Sequence, residues 1–246
     1  LDLYYPEQIN DKNPLVISIF GGGWISGFKT DKFVPPMIQP INEGFIVAVP
    51  DYTLSLDAPF PQSVIDIKKC IAFLKSHSDL YKIDTNNITL WGESAGAHLA
   101  LEAGLVENSH FDLALDTRVK NIIAMYAPSN PLAINAQAEK LGILDTARSD
   151  KDTVFGIYMG KHYDDERQMN LASPIKQIND HMPNIILEHG TKDALVPYLQ
   201  SVEFFNKAKE KYPDSHVTLS IYDGLQHTDP FFFTKEHVHY LMNMLK

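Results

Sequence analysis

The feature that most constrains the fold is a series of short, almost continuous apolar runs separated by segments with helical spacing. The runs cover residues 14–20, 45–50, 88–91, 119–126, 184–188 and 217–222. Strands of this kind are usually buried on both faces of a parallel sheet. Between them, residues 64–74, 94–106 and 198–212 have apolar positions three or four apart, which predicts helices. The alternation predicts a doubly wound, mostly parallel α/β sheet flanked by helices, with functional groups at the carboxyl ends of the strands.

The length of the chain suits one large domain. It has 246 residues and contains no repeat, low-complexity tract or linker, so we expect a single domain over residues 1–246. Residues 127–183 are too many for a simple crossover between strands. They predict a modest cap-like insertion, around residues 130–180, that covers a site on the sheet. A plain pair of packing helices is the alternative.

Charge and cysteine content exclude several classes of protein. The chain has 21 Lys+Arg against 31 Asp+Glu, a formal net charge of −10, and no basic cluster, which argues against nucleic acid as a partner. No apolar run approaches the length of about 18 residues that a membrane helix needs.

The single cysteine, Cys70, favours a reducing compartment, so we expect a cytoplasmic protein without a membrane partner. A homodimer is compatible with the sequence, which does not fix the oligomeric state. The start at Leu1, inside a strand-like alternation, suggests a missing N-terminal piece and leaves a signal peptide open.

The strongest local signal is a Gly-x-Ser-x-Gly pattern at residues 92–96. It follows the apolar run 88–91 and opens the predicted helix 94–106. A sharp turn from strand to helix holds a serine hydroxyl exposed at the carboxyl edge of the sheet. The context therefore predicts that Ser94 is a nucleophile, and a structural turn with no chemistry is the alternative.

A run of three glycines, residues 21–23, follows the first apolar strand. Glycines in this number indicate an unusual turn or a close approach to a ligand. Acyl transfer needs N–H donors for a developing oxyanion, and we expect Gly22, Gly23 and Ala95 to provide them. A phosphate-binding loop is the competing interpretation, but neither the Gly-x-Gly-x-x-Gly nor the Gly-Lys-Ser/Thr pattern is present.

A serine nucleophile needs a base and a carboxylate that orients the base. His227 lies just after the last predicted strand, where its side chain can reach over the edge of the sheet. Asp193 follows the strand 184–188, which gives the chain order Ser, Asp, His. Asp223 and Asp229 are nearer to His227 in sequence and remain alternatives.

The other histidines have weaker support. His98 lies four residues after Ser94 on the predicted helix, and we interpret it as a packing or hydrogen-bonding residue. His189 lies at the end of a strand and is interpreted as structural. The histidines do not have the spacing of metal ligands and the chain has no thiolate cluster, so we expect neither a metal nor a cofactor.

The chain resembles the α/β-hydrolase superfamily over nearly its whole length. The likeness rests on the glycine loop with Trp24, the elbow at 92–96, the opening segment 1–6, the segment 51–55, and the acid loop 189–193 followed by Val196. Within the superfamily it is similar to small esterases with a His-Gly-Gly-Gly-Trp loop: hormone-sensitive-lipase-like carboxylesterases, bacterial acetyl and feruloyl esterases, and kynurenine formamidases. It departs from them in having Phe20 in place of the His and Thr53 in place of an Arg.

The residues and the resemblance together predict a serine carboxylesterase that works through an acyl-enzyme. The expected partner is a small-molecule ester with a short acyl group or a carbohydrate-linked ester. We expect Trp24 and Val196 to border the substrate pocket. The alternatives are an amidase such as an arylformamidase and a non-catalytic ligand-binding relative.

Overall fold

The strands of the computed structural model are β1 (Asp2–Tyr4), β2 (Asn13–Ile19), β3 (Ile46–Val49), β4 (Ile83–Glu93), β5 (Asn121–Met125), β6 (Asn184–Gly190) and β7 (Val217–Tyr222). The structure describes residues 1–31, 34–143 and 149–245. Within these ranges the strands form one sheet in the order β1-β3-β2-β4-β5-β6-β7. β1 is antiparallel to β3 and the other neighbouring pairs are parallel. The doubly wound, mostly parallel sheet predicted from the apolar runs is therefore confirmed.

The α-helices are α1 (Val34–Met37), α2 (Gln62–Ser76), α3 (Ser78–Tyr81), α4 (Ala95–Leu105), α5 (Ile134–Leu141), α6 (Val154–Met159), α7 (Glu166–Leu171), α8 (Leu199–Lys211) and α9 (Lys235–Met244). Parallel neighbours need crossover connections, which include α2 before β4, α4 before β5 and α8 before β7. Within the described ranges, none of these helices is long and apolar enough to cross a membrane.

β4 extends further than its apolar run predicts. The sequence indicates a strand at 88–91, whereas β4 begins at Ile83, which pairs with Asn13. A register shift lies between Asn13 and Leu15 on the partner strand. Residues 84–87 are polar, so hydrophobic pattern alone does not identify this part of the strand.

α4 carries small and apolar residues on all sides and lies in the core of the protein. It approaches β2 very closely. A Cβ atom placed on Gly96 would lie 2.1 Å from the carbonyl oxygen of Ile19. This distance is far shorter than a van der Waals contact, so a glycine at position 96 is what allows the start of α4 to rest on the end of β2.

The carboxyl end of α4 is held by a buried lysine. Lys68 of α2 donates hydrogen bonds from Nζ to the carbonyl oxygens of Ala103 (2.9 Å) and Val106 (2.7 Å) and to Oδ1 of Asn108 (2.9 Å). Burial lowers the pKa of Lys68 to about 8. The ammonium group satisfies carbonyl oxygens that a helix end otherwise leaves without partners.

The segment between β5 and β6 contains α5, α6 and α7, and residues 144–148 of the predicted insertion lie outside the described residues. α6 is packed onto the rest of the domain. The side-chain hydroxyl of Tyr158 donates to Oε2 of Glu102 (2.6 Å), and the backbone carbonyl oxygen of Tyr158 accepts from the N–H of Phe60 (2.6 Å). The covering role of this segment stays a prediction.

The close contact at Gly96 predicts a large difference between two glycine substitutions on the same helix. Both Gly96→Ala and Gly104→Ala gain about 1 kcal/mol of helix propensity. At position 96 the new methyl group meets backbone, and we expect a net loss of about 2 kcal/mol or more in the free energy of unfolding. At position 104 it meets the end of the Ile122 side chain, which can rotate, so the loss should be much smaller. Urea unfolding of both variants measures the difference, and equal losses would contradict this account of the contact.

Candidate active site

The turn between β4 and α4 presents the candidate nucleophile. Ser94 has φ of 53° and ψ of −121°, a conformation that is rare for a residue other than glycine. Its N–H donates to the carbonyl oxygen of Met125 at 3.0 Å, which holds the turn against β5. A Cβ atom on Gly92 would lie 2.3 Å from the carbonyl oxygen of Gly96. The two glycines of the motif therefore permit the sharp turn that exposes the serine.

Ser94, His227 and Asp193 form a continuous chain of hydrogen bonds. Oγ of Ser94 lies 3.0 Å from Nε2 of His227, and Nδ1 of His227 lies 2.6 Å from Oδ2 of Asp193. In this arrangement the serine hydroxyl donates to Nε2, and the Nδ1–H donates to the carboxylate. The structure thus brings together the three residues that the sequence assigns to catalysis. The geometry is that of a nucleophile, a base and an orienting acid.

Asp193 is buried and surrounded by donors. Oδ1 accepts from the N–H groups of Leu195 (2.9 Å) and Val196 (2.8 Å), and Oδ2 lies 3.2 Å from Nε2 of His189. Burial raises the pKa of this carboxyl, but the hydrogen bonds from His189 and His227 outweigh it and hold the pKa well below its ordinary value. The group is therefore a carboxylate at neutral pH and can stabilise a positive charge on His227.

His189 supports the acid loop, a role that sequence reasoning described only as structural. Its Nε2 faces Oδ2 of Asp193 and the carbonyl oxygen of Val196 (2.9 Å), and its Nδ1 lies 2.8 Å from Oγ of Ser201. Both groups facing Nε2 are acceptors, so Nε2 carries the proton and Nδ1 accepts from the serine hydroxyl. The available sequence signal is the position of His189 at the end of a strand, four residues before Asp193.

The glycine loop is held from several sides. The N–H of Gly21 donates to Oε1 of Glu93 (2.8 Å), and the hydroxyl of Tyr52 lies 3.0 Å from the carbonyl oxygen of Phe20 and 3.1 Å from that of Gly21. The ring of Phe20 stacks on that of Tyr52, with centroids 4.6 Å apart. Phe20, at the position where the sequence resemblance implies a histidine, thus supports the loop.

The backbone of the loop requires glycine at position 22. Gly22 has φ of 103°, and a Cβ atom there would lie 2.2 Å from the carbonyl oxygen of Ser26. Because Gly21 donates to Glu93, the N–H groups of Gly22 and Gly23 are the loop's candidates for binding an oxyanion. Ala95, the first residue of α4, offers its N–H at the positive end of the helix dipole.

Glu93 is a buried residue of the site that the sequence reasoning missed. Its Oε1 accepts from Gly21, and its Oε2 accepts from the hydroxyl of Tyr126 at 3.1 Å. Burial raises its pKa, and the Gly21 N–H and Tyr126 hydroxyl partly oppose this rise. The ring of Tyr126 in turn packs against that of His227, with centroids 4.7 Å apart. A charged residue in an apolar strand, directly before the nucleophile, was the available signal.

A cavity of about 600 Å³ opens beside Ser94 and His227. Apolar side chains from separate parts of the chain contribute to its wall: Ile25 beside the glycine loop, Val154 of α6, and Leu195 and Val196 of the acid loop. The structure therefore places Val196 where the sequence predicts it. The complete lining is Phe20, Gly21, Gly22, Gly23, Ile25, Ser26, Gly27, Asp31, Glu93, Ser94, Val154, Leu195, Val196, His227 and Thr228.

Trp24 lies elsewhere than expected, and its assignment to the pocket border is corrected. The side chain is 4% exposed and is not among the cavity-lining residues in the described part of the chain. The indole stacks on Tyr158 (centroids 4.8 Å apart), and its Nε1–H donates to Nδ1 of His98 at 3.2 Å. Burial among aromatic rings with a partner for the N–H is a stable environment for an indole, so Trp24 packs in the core behind the loop.

Glu102 lies in the same buried group. Its Oε2 accepts from the Tyr158 hydroxyl (2.6 Å) and lies 3.3 Å from Nδ1 of His98. Burial raises the pKa of Glu102 to about 8, although the hydrogen bond from Tyr158 and the charge of Lys68 lower it in part. The carboxyl group is therefore protonated at neutral pH.

The raised pKa of Glu102 predicts that the protein loses stability as the pH rises from about 5 to about 8. An unfolded glutamate has a pKa near 4.3, so between about pH 5 and pH 8 the folded protein binds the extra proton and the free energy of unfolding falls as pH rises. Glu102→Gln keeps the shape of the protonated acid and lacks this titration. We expect its stability, relative to the wild type, to rise on the order of 1 kcal/mol per pH unit over this range.

Urea unfolding of both proteins between pH 5 and pH 9 measures this difference. Glu7→Gln, at an exposed glutamate distant in sequence from Glu102 and Lys68, is the control and should follow the wild type. A constant difference between Glu102→Gln and the wild type would show that the Glu102 carboxyl does not titrate in this range.

The alternative acids provide matched controls for the role of Asp193. Oδ1 of Asp223 accepts from the hydroxyl of Thr191, and Oδ1 of Asp229 accepts from the N–H of Phe231 at the start of a 3-10 helix. Both carboxylates are thus engaged away from the His227 Nδ1.

Asp193→Asn is expected to lower kcat by about 10³- to 10⁴-fold, because an amide N–H facing Nδ1 favours the tautomer whose Nε2 is protonated and cannot accept the serine proton. Asp223→Asn and Asp229→Asn should retain activity within a few-fold. Steady-state kinetics on a nitrophenyl ester measures the effect, and circular dichroism verifies folding. A comparable loss of kcat in Asp223→Asn or Asp229→Asn would contradict the assignment of Asp193 as the acid that orients His227.

The sheet order, the elbow and the triad together define an α/β-hydrolase fold with a serine-hydrolase type of site. The chain belongs to the BD-FAE family, whose model matches residues 1–208. The expected α/β-hydrolase fold is confirmed by this match and by the solved structures it resembles.

The chain is similar to curated esterases. It is 29% identical over 198 residues to the esterase LipQ of Mycobacterium tuberculosis, an alignment that covers 78% of this chain and 44% of LipQ. It is 27% identical over 248 residues to a probable isoprenylcysteine alpha-carbonyl methylesterase, ICMEL1, of Oryza sativa, covering 94% of this chain and 54% of that protein. The chain thus spans about half the length of the curated relatives it matches.

Solved structures share the fold. A truncated carbohydrate esterase from gut microbiota has a TM-score of 0.84 and 22% identity, and the match covers 99% of this chain and 88% of that one. A thermophilic esterase of Thermogutta terrifontis with bound propionate has a TM-score of 0.72 and 21% identity, covering 98% of this chain and 84% of that one.

Proposed function

We propose that this protein is a serine carboxylesterase that hydrolyses small-molecule esters through an acyl-enzyme intermediate. The observation that carries the proposal is the hydrogen-bonded chain from Ser94 through His227 to Asp193 beside a cavity bordered by the glycine loop. The likeness to named esterases supports the same reaction type.

In the first half of the proposed reaction, Oγ of Ser94 attacks the ester carbonyl carbon and Nε2 of His227 takes the hydroxyl proton. Asp193 stabilises the imidazolium that forms. The N–H groups of Gly22, Gly23 and Ala95 hold the negative charge on the carbonyl oxygen. The bond between carbon and the leaving oxygen then breaks, and His227 gives its proton to the departing alcohol.

The second half releases the acyl group. A water molecule attacks the carbonyl carbon of the acyl-enzyme while Nε2 of His227 accepts one of its protons. The oxyanion forms again in the same place, the bond to Oγ of Ser94 breaks, and His227 returns the proton to the serine. The free carboxylic acid leaves and the site is restored without a cofactor taking part in any step.

The walls of the cavity support short acyl groups as substrates. Ile25, Val154 and Leu195 provide apolar surface for an acyl chain, and a volume of about 600 Å³ must hold both the acyl group and part of the alcohol. A structural neighbour that contains bound propionate is consistent with a short acyl group. Carbohydrate-linked esters fit the same proposal, because another neighbour is described as a carbohydrate esterase. The partner we propose is the small-molecule ester itself.

The compartment is part of the proposal as well. Cys70 is the single cysteine of the chain and its side chain is buried. This usage supports a cytoplasmic location, because disulfides stabilise many proteins of oxidising compartments. Fractionation of cells that produce the full-length protein tests this location, and recovery outside the cytoplasm would refute it.

Removal of the nucleophile tests the proposed reaction. Ser94→Ala should lower turnover of nitrophenyl acetate by several orders of magnitude, since it removes the atom that forms the acyl-enzyme. Ser109→Ala, at an exposed serine that does not line the cavity in the described part of the chain, is the control and should retain activity. Mass spectrometry after treatment with a fluorophosphonate should locate the label on Ser94 in the wild type. Equal turnover by Ser94→Ala and the wild type would overturn the proposal.

A substrate panel identifies the class of ester. It comprises nitrophenyl acetate, butyrate and octanoate, acetylated xylo-oligosaccharides, a feruloyl ester and formylkynurenine. We expect the highest kcat/KM for the short acyl esters, with acetylated sugar as the natural class. A preference for formylkynurenine would replace the esterase assignment by that of an amidase. Labelling of Ser94 without turnover of any member would overturn the esterase proposal.

A further inference from the structure

The glycine loop ends on a strained residue. Gly22, Gly23 and Trp24 have φ values of 103°, 60° and 63°, so three consecutive residues adopt the left-handed region. The first two are glycines, for which this conformation is accessible. A tryptophan in this region is unusual, because a Cβ atom disfavours it. Interactions of the Trp24 side chain must therefore stabilise the end of the loop.

His98 provides a directional contact of this kind. Its side chain is fully buried, with Nδ1 3.2 Å from Nε1 of Trp24 and Nε2 3.1 Å from the carbonyl oxygen of Ala172. An indole N–H can only donate and a carbonyl can only accept. The contacts therefore select one neutral tautomer, with the proton on Nε2 and a lone pair on Nδ1. Burial lowers the pKa of His98 to about 3, which is consistent with a neutral ring.

His98 links the two parts of the chain that provide the N–H groups of the candidate oxyanion hole. The donors Gly22 and Gly23 belong to the loop, whereas Ala95 begins α4. His98 lies one turn further along α4, and its N–H donates to the carbonyl oxygen of Ser94. Through the Trp24 indole, the same helix that carries the nucleophile holds the loop at its far end.

We propose that His98 is a positioning residue that fixes the glycine loop, through Trp24, at the distance from Ser94 and Ala95 that binding of an oxyanion requires. The inference rests on the proposed function, because it assumes that these N–H groups hold the oxyanion. His98 does not border the cavity in the described part of the chain. Its loss should therefore affect the chemical step and leave binding of the ester nearly unchanged.

Two substitutions of His98 test the hydrogen bonds separately from the volume. His98→Leu removes both hydrogen bonds. His98→Gln offers an amide oxygen to the Trp24 N–H and an amide N–H to the Ala172 carbonyl. We expect kcat for nitrophenyl acetate to fall about 10- to 100-fold in His98→Leu, with KM changed less than about threefold, and to recover most of its value in His98→Gln. His110→Leu, at an exposed histidine, is the control.

Trp24→Phe tests the same contact from the other side, because it keeps an aromatic ring and removes the N–H. We expect a loss of kcat similar to that in His98→Leu. Since both substitutions break the same hydrogen bond between Trp24 and His98, kcat of the double variant with Trp24→Phe and His98→Leu should be little lower than that of either single variant. Additive losses in kcat would contradict a shared mechanism. If His98→Leu does not fold, His98→Gln and Trp24→Phe still decide the proposal.

The rate at which a fluorophosphonate labels Ser94 provides a readout that does not depend on the natural substrate, because the phosphonyl oxygen uses the same N–H donors. This rate should fall in parallel with kcat in His98→Leu and Trp24→Phe. Thermal unfolding of each variant is measured separately. Reduced unfolding temperature with unchanged labelling and kcat would make His98 merely structural and overturn the inference. If the wild type turns over none of the esters but Ser94 is still labelled at a rate that depends on His98, only the esterase proposal is overturned. If the wild type is not labelled at all, both the esterase proposal and the His98 proposal are overturned.

Discussion

The site depends on the contact between the start of α4 and the end of β2. The absence of a side chain on Gly96 lets the helix rest against the Ile19 carbonyl oxygen. This contact brings the N–H of Ala95, the hydroxyl of Ser94 and the glycine loop that follows β2 into one small volume. A helix displaced outward by the width of a methyl group would separate the loop donors from the helix donor, and one oxyanion could no longer meet both.

Two buried carboxyl groups near Ser94 have pKa values that their surroundings shift in opposite directions. Glu93 and Asp193 are both buried. Asp193 receives two backbone N–H bonds and two histidine N–H bonds, which hold its pKa low. Glu93 receives one backbone N–H and one tyrosine hydroxyl, and its burial dominates, so its pKa is raised. The donors around Asp193 thus favour its charged form behind His227, whereas burial disfavours the charged form of Glu93 behind the glycine loop.

Much of this arrangement was predictable from the sequence. Apolar runs predicted most of the strands along the chain. Ser94, Asp193 and His227 were identified because each lies in the turn or loop that follows a strand. The rest depends on contacts that the pattern does not encode. Trp24 was expected at the pocket, but it packs in the core with His98, which is far from it in sequence. Glu93 and His189 face inward at strand ends, and their roles follow from partners on other elements. The polar start of β4 has no apolar pattern to reveal it.

The capping of α4 by Lys68 has a consequence for how the protein opens. The first turn of α4 packs against β2 at Gly96, and the carbonyl oxygens at its last turn bind the buried ammonium group of Lys68. Local fraying at the carboxyl end would break two hydrogen bonds to a charged donor at once. The amide protons of α4 should therefore exchange with solvent chiefly through cooperative unfolding of the domain. Ser94, at the start of α4, would then keep its position until the domain as a whole unfolds.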